Sequence, residues 1–256
     1  MNISVIIPFH KCDYRLKRLI TSIPIIPNIE VIVIDDGINS SRNDKVFERE
    51  NLVFTSTSGA QGAGVARNIG MELASGDWLL FADSDDMFLD QWFESVRKYE
   101  HTDLDVVYFM PIAKYEDGSD SNRALTYQRL LSSSLDNGDK ALKYQFSPPW
   151  SKLYRRRFIV KNSITFQPVV ASNDLLFSLK VGHLLGGFAV DFSPIYCVFD
   201  TTGSLTKITK INILICRLRV ATDYNDYIET NNLPTPKINI YKFSVRLFYR
   251  FLGITI

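Results

Sequence analysis

The sequence of 256 residues is poor in the features that mark several specialised protein classes. Its three cysteines, Cys12, Cys197 and Cys216, are odd in number and far apart, which argues against a disulfide framework and favours a reducing cytosol. The net charge of +1 gives no overall field that would favour nucleic acid. No apolar run reaches the roughly 18 residues of a membrane span, and the chain starts in a strand pattern without a signal peptide. We therefore expect a cytoplasmic protein.

The hydrophobic fraction of 46% is enough to bury a substantial core, and the length fits one large domain with an appendage. Short apolar runs alternate with amphipathic helical patterns through the first half of the chain. The strand patterns cover residues 3–8, 30–34, 52–54, 78–82 and 105–109, and the helical patterns cover 14–23, 65–73 and 89–96. Such alternation predicts an α/β fold with a mostly parallel central sheet flanked by helices. The polar stretch 132–139 is expected to form a loop.

An acidic corner follows the most apolar of these strands. The run from Trp78 to Ala82 is apolar throughout, and Asp83, Ser84, Asp85 and Asp86 come directly after it. Two carboxylates about 4 Å apart repel by roughly 4 kcal/mol at an effective dielectric constant of 20. Water, protons or a cation must relieve that repulsion, and oxygen ligands at the end of a strand suit Mg²⁺ or Mn²⁺. The alternative is an acidic turn that is merely solvated.

Two further corners follow neighbouring strands and should lie at the same edge of the sheet. Asp36 stands in an Asp–Asp–Gly sequence after the second strand, where a carboxylate could contact a base or ribose, or simply form a turn. The segment 62–68 combines two glycines, a helix start and Arg67, which makes it a candidate anion site. A third glycine at dinucleotide spacing is missing, which disfavours a dinucleotide-binding fold.

Five motifs in this order resemble those of the family 2 glycosyltransferases of the GT-A fold. They are Val5–Pro8, Val33–Gly37, Ala66–Gly70, Phe81–Asp86 and Trp150–Tyr154, followed by Arg157–Phe158 and a weaker match at Gly203–Thr206. The resemblance covers residues 3 to about 206. It implies a GT-A domain over residues 1–206, a UDP-sugar donor and a bound Mn²⁺ or Mg²⁺.

The resemblance also implies roles for individual residues. The residues expected at the donor are Pro8 and Phe9 at the base, Asp36 at the uracil or ribose, and Arg67, Asp83 and Ser84. Asp85, with Asp83, is expected to hold the metal ion against the diphosphate.

Members of this family that invert the sugar need a base opposite the leaving group. The resemblance places that base at Asp174, where it would take the proton of the acceptor hydroxyl. The family's usual glutamate before it is Asn173 here, and the alternative for Asp174 is a helix cap. Trp150 and Lys152 are expected on the acceptor side, where an aromatic ring suits a sugar and a lysine suits a phosphate; ordinary packing is the alternative.

Residues 207–256 form a separate, basic and helical C-terminal region in this interpretation. They hold eight basic and three acidic residues, and Lys242, Arg246 and Arg250 recur at four-residue spacing among apolar residues. This pattern is typical of a helix lying in a membrane surface, and the alternative is a terminal helix packed on the domain.

The sequence thus predicts an inverting, metal-dependent hexosyltransferase that moves one sugar from a UDP-sugar to a glycan. The acceptor is expected to be linked to a lipid diphosphate, on the cytoplasmic face of the inner membrane, in O-antigen, lipopolysaccharide, capsule or other surface polysaccharide synthesis. Two alternatives stay open: a sugar nucleotidylyltransferase, which would want a Gly-rich loop with Arg after the first strand, and a binding module for nucleotide sugars without catalysis.

Overall fold

One eight-stranded sheet organises the chain in the computed structural model, which describes residues 1–11, 14–37, 45–137, 140–200 and 210–241. The strands are β1 (Ile3–Phe9), β2 (Ile29–Asp35), β3 (Leu52–Ser56), β4 (Trp78–Phe81), β5 (Met87–Phe88), β6 (Val106–Lys114), β7 (Lys152–Arg155) and β8 (Phe188–Phe199). Their order across the sheet is β3-β2-β1-β4-β7-β6-β8-β5.

The half of the sheet from β3 to β4 is parallel throughout, as the alternating pattern predicts. Every residue of β1 and of β4 is buried, because helices or neighbouring segments cover both faces of a parallel sheet. The register pairs Phe9 of β1 with Asp35 of β2, and Ile6 with Phe81 of β4. Parallel register brings the acidic ends of β2 and β4 to the same edge of the sheet.

The other half of the sheet is mixed. Strand β7 runs antiparallel to both β4 and β6, whereas β6 and β8 are parallel, with a register irregularity around Met110. The short strand β5 pairs antiparallel with the end of β8, where Met87 lies opposite Cys197. This pairing brings the last residues of β8 next to the acidic turn that precedes β5.

Eight α-helices are found in the described ranges: α1 (Tyr14–Thr21), α2 (Ala63–Leu73), α3 (Trp92–Arg97), α4 (Leu125–Asn137), α5 (Lys140–Gln145), α6 (Arg156–Lys161), α7 (Asp174–Leu184) and α8 (Ile211–Thr230). Helix α2 packs closely on β1, since a Cβ on Gly70 would lie 2.4 Å from Cγ2 of Ile6. The loop predicted at 132–139 is wrong for residues 132–137, which continue α4. There the hydroxyls of Ser132, Ser133 and Ser134 donate to backbone carbonyls one turn earlier, so polar residues sit within a helix.

Helix α8 packs against α7 in a small second cluster of side chains, in which Tyr224 and Ile228 contact Leu179. No helix within the described ranges is long and apolar enough to cross a membrane. The basic stripe at Lys242, Arg246 and Arg250 and the weak motif at Gly203–Thr206 lie outside the described residues. The predicted division at residue 206 stays a prediction.

A close approach between α5 and α7 can be tested at Gly182. A Cβ there would lie 2.0 Å from the carbonyl oxygen of Lys143, a backbone atom that cannot rotate away. We expect Gly182→Ala to lower the free energy of unfolding by about 1–3 kcal/mol in urea titrations, because strain from overpacking exceeds the helix propensity of alanine, which is about 1 kcal/mol better than that of glycine.

The matched control is Gly187→Ala, whose Cβ would lie at an ordinary 3.5 Å from Cδ2 of Leu104. It should leave the urea midpoint nearly unchanged. Equal stability of the two variants would contradict the close packing of α7 on α5.

Candidate active site

The acidic corner after β4 is a tight turn in which the amide of Asp86 donates to the carbonyl of Asp83 at 3.0 Å. Asp83, Ser84 and Asp85 are partly exposed, whereas Asp86 is only 1% exposed. The turn therefore divides its acidic residues into two kinds. Asp83 and Asp85 can meet a ligand, and Asp86 faces the protein interior.

The carboxylate of Asp86 connects the turn to β8. It accepts hydrogen bonds from the amide of Phe199 at 2.8 Å and from the hydroxyl of Tyr196 at 3.0 Å. The same hydroxyl accepts a hydrogen bond from the amide of Asp83 at 2.8 Å. Burial, with the nearby Asp85 and Asp83, raises the pKa of Asp86 well above its usual range. Asp86 thus supports the turn from behind.

Asp85 is held by its backbone, because its carbonyl accepts a hydrogen bond from Nη2 of Arg18 at 2.6 Å. Its carboxylate accepts no hydrogen bond from any other residue of the described ranges. Burial and the charge of Asp83 raise the pKa of Asp85, and the more distant Arg123 and Arg15 only partly offset this. The described residues therefore stabilise the negative charge of this carboxylate only in part.

A divalent cation fits this corner on the chemistry of its donors. No three His, Cys, Asp or Glu side chains in the described part of the chain converge as a complete metal site. Mg²⁺, however, is commonly bound through one or two carboxylates, with the remaining ligands supplied by water and substrate phosphates. Asp85 and Asp83 match that incomplete donor set.

Arg67 connects the acidic turn to the start of α7. Its Nη2 donates to Oδ1 of Asp83 at 2.5 Å, and its Nη1 donates to Oδ1 of Asn173 at 2.7 Å. The guanidinium is 6% exposed and lies over the ring of Phe166. The contact requires a glycine at position 64, because a Cβ there would lie 2.9 Å from Cβ of Asn173. Two segments more than 80 residues apart in sequence are thereby fixed side by side.

Asp174 is the first residue of α7 and lies next to this bridge. It is partly exposed, yet burial raises its pKa; Asp83 raises it further, while Arg67 and Lys152 oppose the shift. Asn173 occupies the N-cap position, but its side chain makes no capping hydrogen bond and points to Arg67 instead. A carboxylate with a raised pKa that still reaches solvent has the properties of a general base.

The two residues expected on the acceptor side are buried. Lys152 is 1% exposed, and its Nζ donates to the carbonyl of Phe146 at 2.5 Å among aromatic rings. Burial lowers the pKa of Lys152 to about 7, against the opposing charge of Asp174. Trp150 is 5% exposed and stacks on Tyr196 with ring centroids 6.0 Å apart. Both side chains are packed in the interior, which is what the alternative of ordinary packing predicts. Their role on the acceptor side stays a prediction.

The carboxylate of Asp36 accepts hydrogen bonds from the loop between β3 and α2. Its oxygens accept hydrogen bonds from the hydroxyl of Thr57 at 2.9 Å and from the amides of Gln61 at 2.8 Å and Gly62 at 2.7 Å. These bonds hold the loop that leads into α2 against the end of β2. Contact of this residue with a base or ribose stays a prediction.

The base-side residues expected at the end of β1 are both buried. The ring of Phe9 packs against those of Phe47 and Phe54, with centroids 6.0 and 6.1 Å away. Pro8 lies beside it in the fully buried strand, opposite Ile34 of β2. Contact of either residue with a base stays a prediction.

Three residues contribute to this site although the sequence did not predict it. Tyr196 supports the acidic turn, Arg18 holds the backbone of Asp85, and Arg123 contributes positive charge near Asp85 and donates to the carbonyl of Phe199. Tyr196 belongs to an apolar strand pattern and Arg18 to an ordinary amphipathic helix. Nothing in local sequence distinguishes them, because their roles depend on strand pairing between β5 and β8.

Comparison with known proteins gives a consistent result. The chain matches the family model described as glycosyl transferase family 2 over residues 4–161. EpsH of Bacillus subtilis (strain 168), provisionally named a glycosyltransferase, is 29% identical over 218 residues, which cover 76% of this chain and 59% of EpsH. The uncharacterized glycosyltransferase YibD of Escherichia coli (strain K12) is 29% identical over 192 residues, covering 70% of this chain and 55% of YibD. The chain thus spans little more than half the length of these relatives.

The fold is similar to that of TarS from S. aureus. The crystal structure of TarS residues 1–349 with UDP-GlcNAc superposes with a TM-score of 0.68 at 19% identity, covering 100% of this chain and 74% of that chain. The likeness confirms the predicted GT-A fold, with its mixed α/β architecture. The family match extends over more than half of the chain and includes the acidic turn, Arg67 and β7. The chain therefore belongs to glycosyl transferase family 2.

Proposed function

We propose that this glycosyltransferase moves one sugar, with inversion, from a UDP-sugar to a hydroxyl of a glycan acceptor. The observation that carries the proposal is the contact of Arg67 with both Asp83 and Asn173, which sets the acidic turn beside Asp174. One end of the site thus presents carboxylates suited to a metal-bound diphosphate, and the other presents a carboxylate suited to accept a proton.

In the proposed reaction Asp174 accepts a hydrogen bond from the acceptor hydroxyl and takes its proton. The hydroxyl oxygen attacks the anomeric carbon as the bond to the UDP oxygen breaks, so one glycosidic bond replaces another and UDP leaves with its electron pair. The raised pKa of Asp174 makes it a stronger base than an ordinary carboxylate while it is ionised.

Asp85 and Asp83 would hold Mn²⁺ or Mg²⁺ at the donor diphosphate. When bound, such an ion offsets the charge of the leaving group as a Lewis acid. The protein supplies the position of the two carboxylates, through the Arg18 contact to the backbone of Asp85 and the Tyr196 contact to the backbone of Asp83.

Two relatives support the choice of substrates. TarS of S. aureus has been crystallised with UDP-GlcNAc and with UDP. WfgD of Escherichia coli, named as a UDP-Glc:alpha-D-GlcNAc-diphosphoundecaprenol beta-1,3-glucosyltransferase, is 30% identical over 91 residues, which cover 34% of this chain and 36% of WfgD. We infer a UDP-sugar donor and an acceptor on a lipid diphosphate, as in surface polysaccharide synthesis.

The binding module without catalysis is the remaining alternative. It would need no proton acceptor, so the partly exposed Asp174 beside Asp83 favours an enzyme. A nucleotidylyltransferase is disfavoured by the family to which the chain belongs.

The proposed base is tested by Asp174→Asn. We expect UDP-sugar binding, measured by calorimetry, to persist, and turnover to fall by roughly 10²–10⁴-fold because the acceptor proton has no positioned base. The exposed α8 carboxylate offers the control Asp226→Asn, which should keep full turnover. Normal turnover in Asp174→Asn would remove this residue as the base.

The same variant has an expected effect on stability that follows from the raised pKa of Asp174. A carboxyl whose pKa is raised in the folded state binds more protons folded than unfolded, so its contribution to stability falls as pH rises above the unfolded value. Asp174→Asn should therefore raise the free energy of unfolding at neutral pH relative to wild type. The difference should shrink toward acidic pH.

Metal dependence is tested by Asp85→Asn together with chelation. EDTA should abolish UDP release by the wild type, Mn²⁺ or Mg²⁺ should restore it, and Asp85→Asn should lose the metal-dependent activity while keeping its circular dichroism spectrum. Asp226→Asn, which removes an exposed acidic residue of α8, is again the control. Full activity of the wild type in EDTA would refute the metal role.

Peripheral attachment to the inner membrane is proposed for the basic C-terminal segment. Removing residues 242–256 spares the hydrogen bonds that join Asn225 of α8 to Ile238. We expect this deletion to shift the protein from the membrane to the soluble fraction, because the basic and apolar stripe is lost. An unchanged distribution would contradict the attachment.

A further inference from the structure

A recess of about 440 Å³ opens at the end of β4 opposite to the acidic turn. Gly76 and Asp77, which precede β4, line one side, and three consecutive arginines with Lys161 line the other. Strand β7 runs antiparallel to β4 and pairs Arg155 with Trp78, so its last residue lies where β4 begins. At about 3.3 Å per strand residue, the six residues from Asp77 to Asp83 place the recess roughly 20 Å from Asp83.

The basic side chains around this recess differ in how many contacts they make within the protein. The guanidinium of Arg155 lies 3.7 Å from the centroid of the Trp78 ring and donates to the carbonyls of Thr102 and Leu104. Arg155 is therefore part of the framework. Arg157 pairs with Asp103 at 3.0 Å, but both side chains are largely exposed, so water weakens the pair.

Arg156 is the residue with unmet hydrogen-bonding capacity. Its backbone amide donates to the carbonyl of Asp77 at 2.9 Å, which fixes where the side chain starts. Its Nε is buried and finds no acceptor among the described residues. A buried donor without a partner is unfavourable. Arg156 as a whole is partly exposed and lines the recess, so a shift of its side chain toward a ligand oxygen there would satisfy Nε.

The local balance of charge also favours an anion. The side chains lining the recess carry four positive charges and one negative charge, that of Asp77. Burial, and after it the neighbouring Arg157, lowers the pKa of Arg155, and the carboxylates of Asp77, Asp103 and Asp105 oppose that shift. The positive charge that an anion would neutralise is therefore that of Arg156 and Lys161.

We propose that this recess binds a phosphate-bearing group, with Arg156 and Lys161 as its main contacts. The planar guanidinium matches two phosphate oxygens, and the lysine adds a mobile point charge. The group could belong to a free diphosphate or to the headgroup of an anionic lipid, which present the same oxygens. The proposal concerns the edge of the sheet away from the active site and does not depend on the proposed function.

The test compares the wild type with the double variant Arg156→Gln/Lys161→Gln. Arg155 is left intact because it packs on Trp78. The control Arg129→Gln/Lys45→Gln removes the same two charges from exposed positions on other elements. Pyrophosphate binding is measured by calorimetry with saturating UDP present, so that the proposed donor site is filled. Binding to phosphatidylcholine vesicles with and without phosphatidylglycerol is measured by flotation.

If the ligand is free, pyrophosphate should bind the wild type and the control alike and bind the double variant at least about tenfold more weakly. If the ligand is a lipid headgroup, the double variant should bind vesicles with phosphatidylglycerol more weakly than the control does, and the binding that remains should be what the basic C-terminal segment supplies. The proposal is overturned if the double variant matches the control with both probes. Unchanged thermal unfolding of the double variant excludes a loss of fold.

Discussion

The site depends on the two hydrogen bonds of the Arg67 guanidinium. One reaches Asp83, which follows a strand of the parallel half-sheet, and the other reaches Asn173, which precedes a helix of the second half. A planar, permanently charged fork suits this task, because it holds two oxygens in fixed directions while its charge compensates that of Asp83. The close approach at Gly64 allows the contact. This bridge fixes the acidic turn against the start of α7, in addition to the packing of Phe81 on Phe177.

The contact with Arg67 also explains how the site accommodates an asparagine at position 173. A neutral amide there accepts one hydrogen bond from Arg67 without adding a third carboxylate beside Asp83 and Asp174. The pKa of Asp174 is already raised by burial and by Asp83, and a further negative charge would raise it again. The departure from the family's usual glutamate is thus compatible with a base that must be ionised to act.

Much of the fold follows from local pattern, and the exceptions have physical reasons. The strands from β1 to β4 and helix α2 are predictable because a buried parallel sheet needs apolar runs with helical crossovers. The stretch 132–137 was predicted as a loop because serine is common in loops, but its hydroxyls bond to carbonyls within α4. The pairing of β5 with β8 depends on long-range contacts that no local pattern encodes.

The site, like the fold, could be predicted from the sequence only in part. The family resemblance and the order of the strands predict that Asp83 and Asp174, which are far apart in the sequence, lie close together in space. The different environments of the neighbouring carboxylates could not be predicted: Asp86 is buried against Tyr196, whereas the charge of Asp85 is only partly offset by Arg123 and Arg15. Lys152, which is expected on the acceptor side with ordinary packing as the alternative, lies in the core beside Phe146.

The central claim is that Asp85 and Asp174 act on opposite sides of one donor sugar. A crystal structure of the chain with Mn²⁺ and an unreactive UDP-sugar analogue tests it most directly. The account predicts the ion between Asp85 and the diphosphate, with the carboxylate of Asp174 on the face of the anomeric carbon away from the UDP oxygen. An ion or nucleotide bound elsewhere, or a sugar whose far face is closed to Asp174, would contradict it.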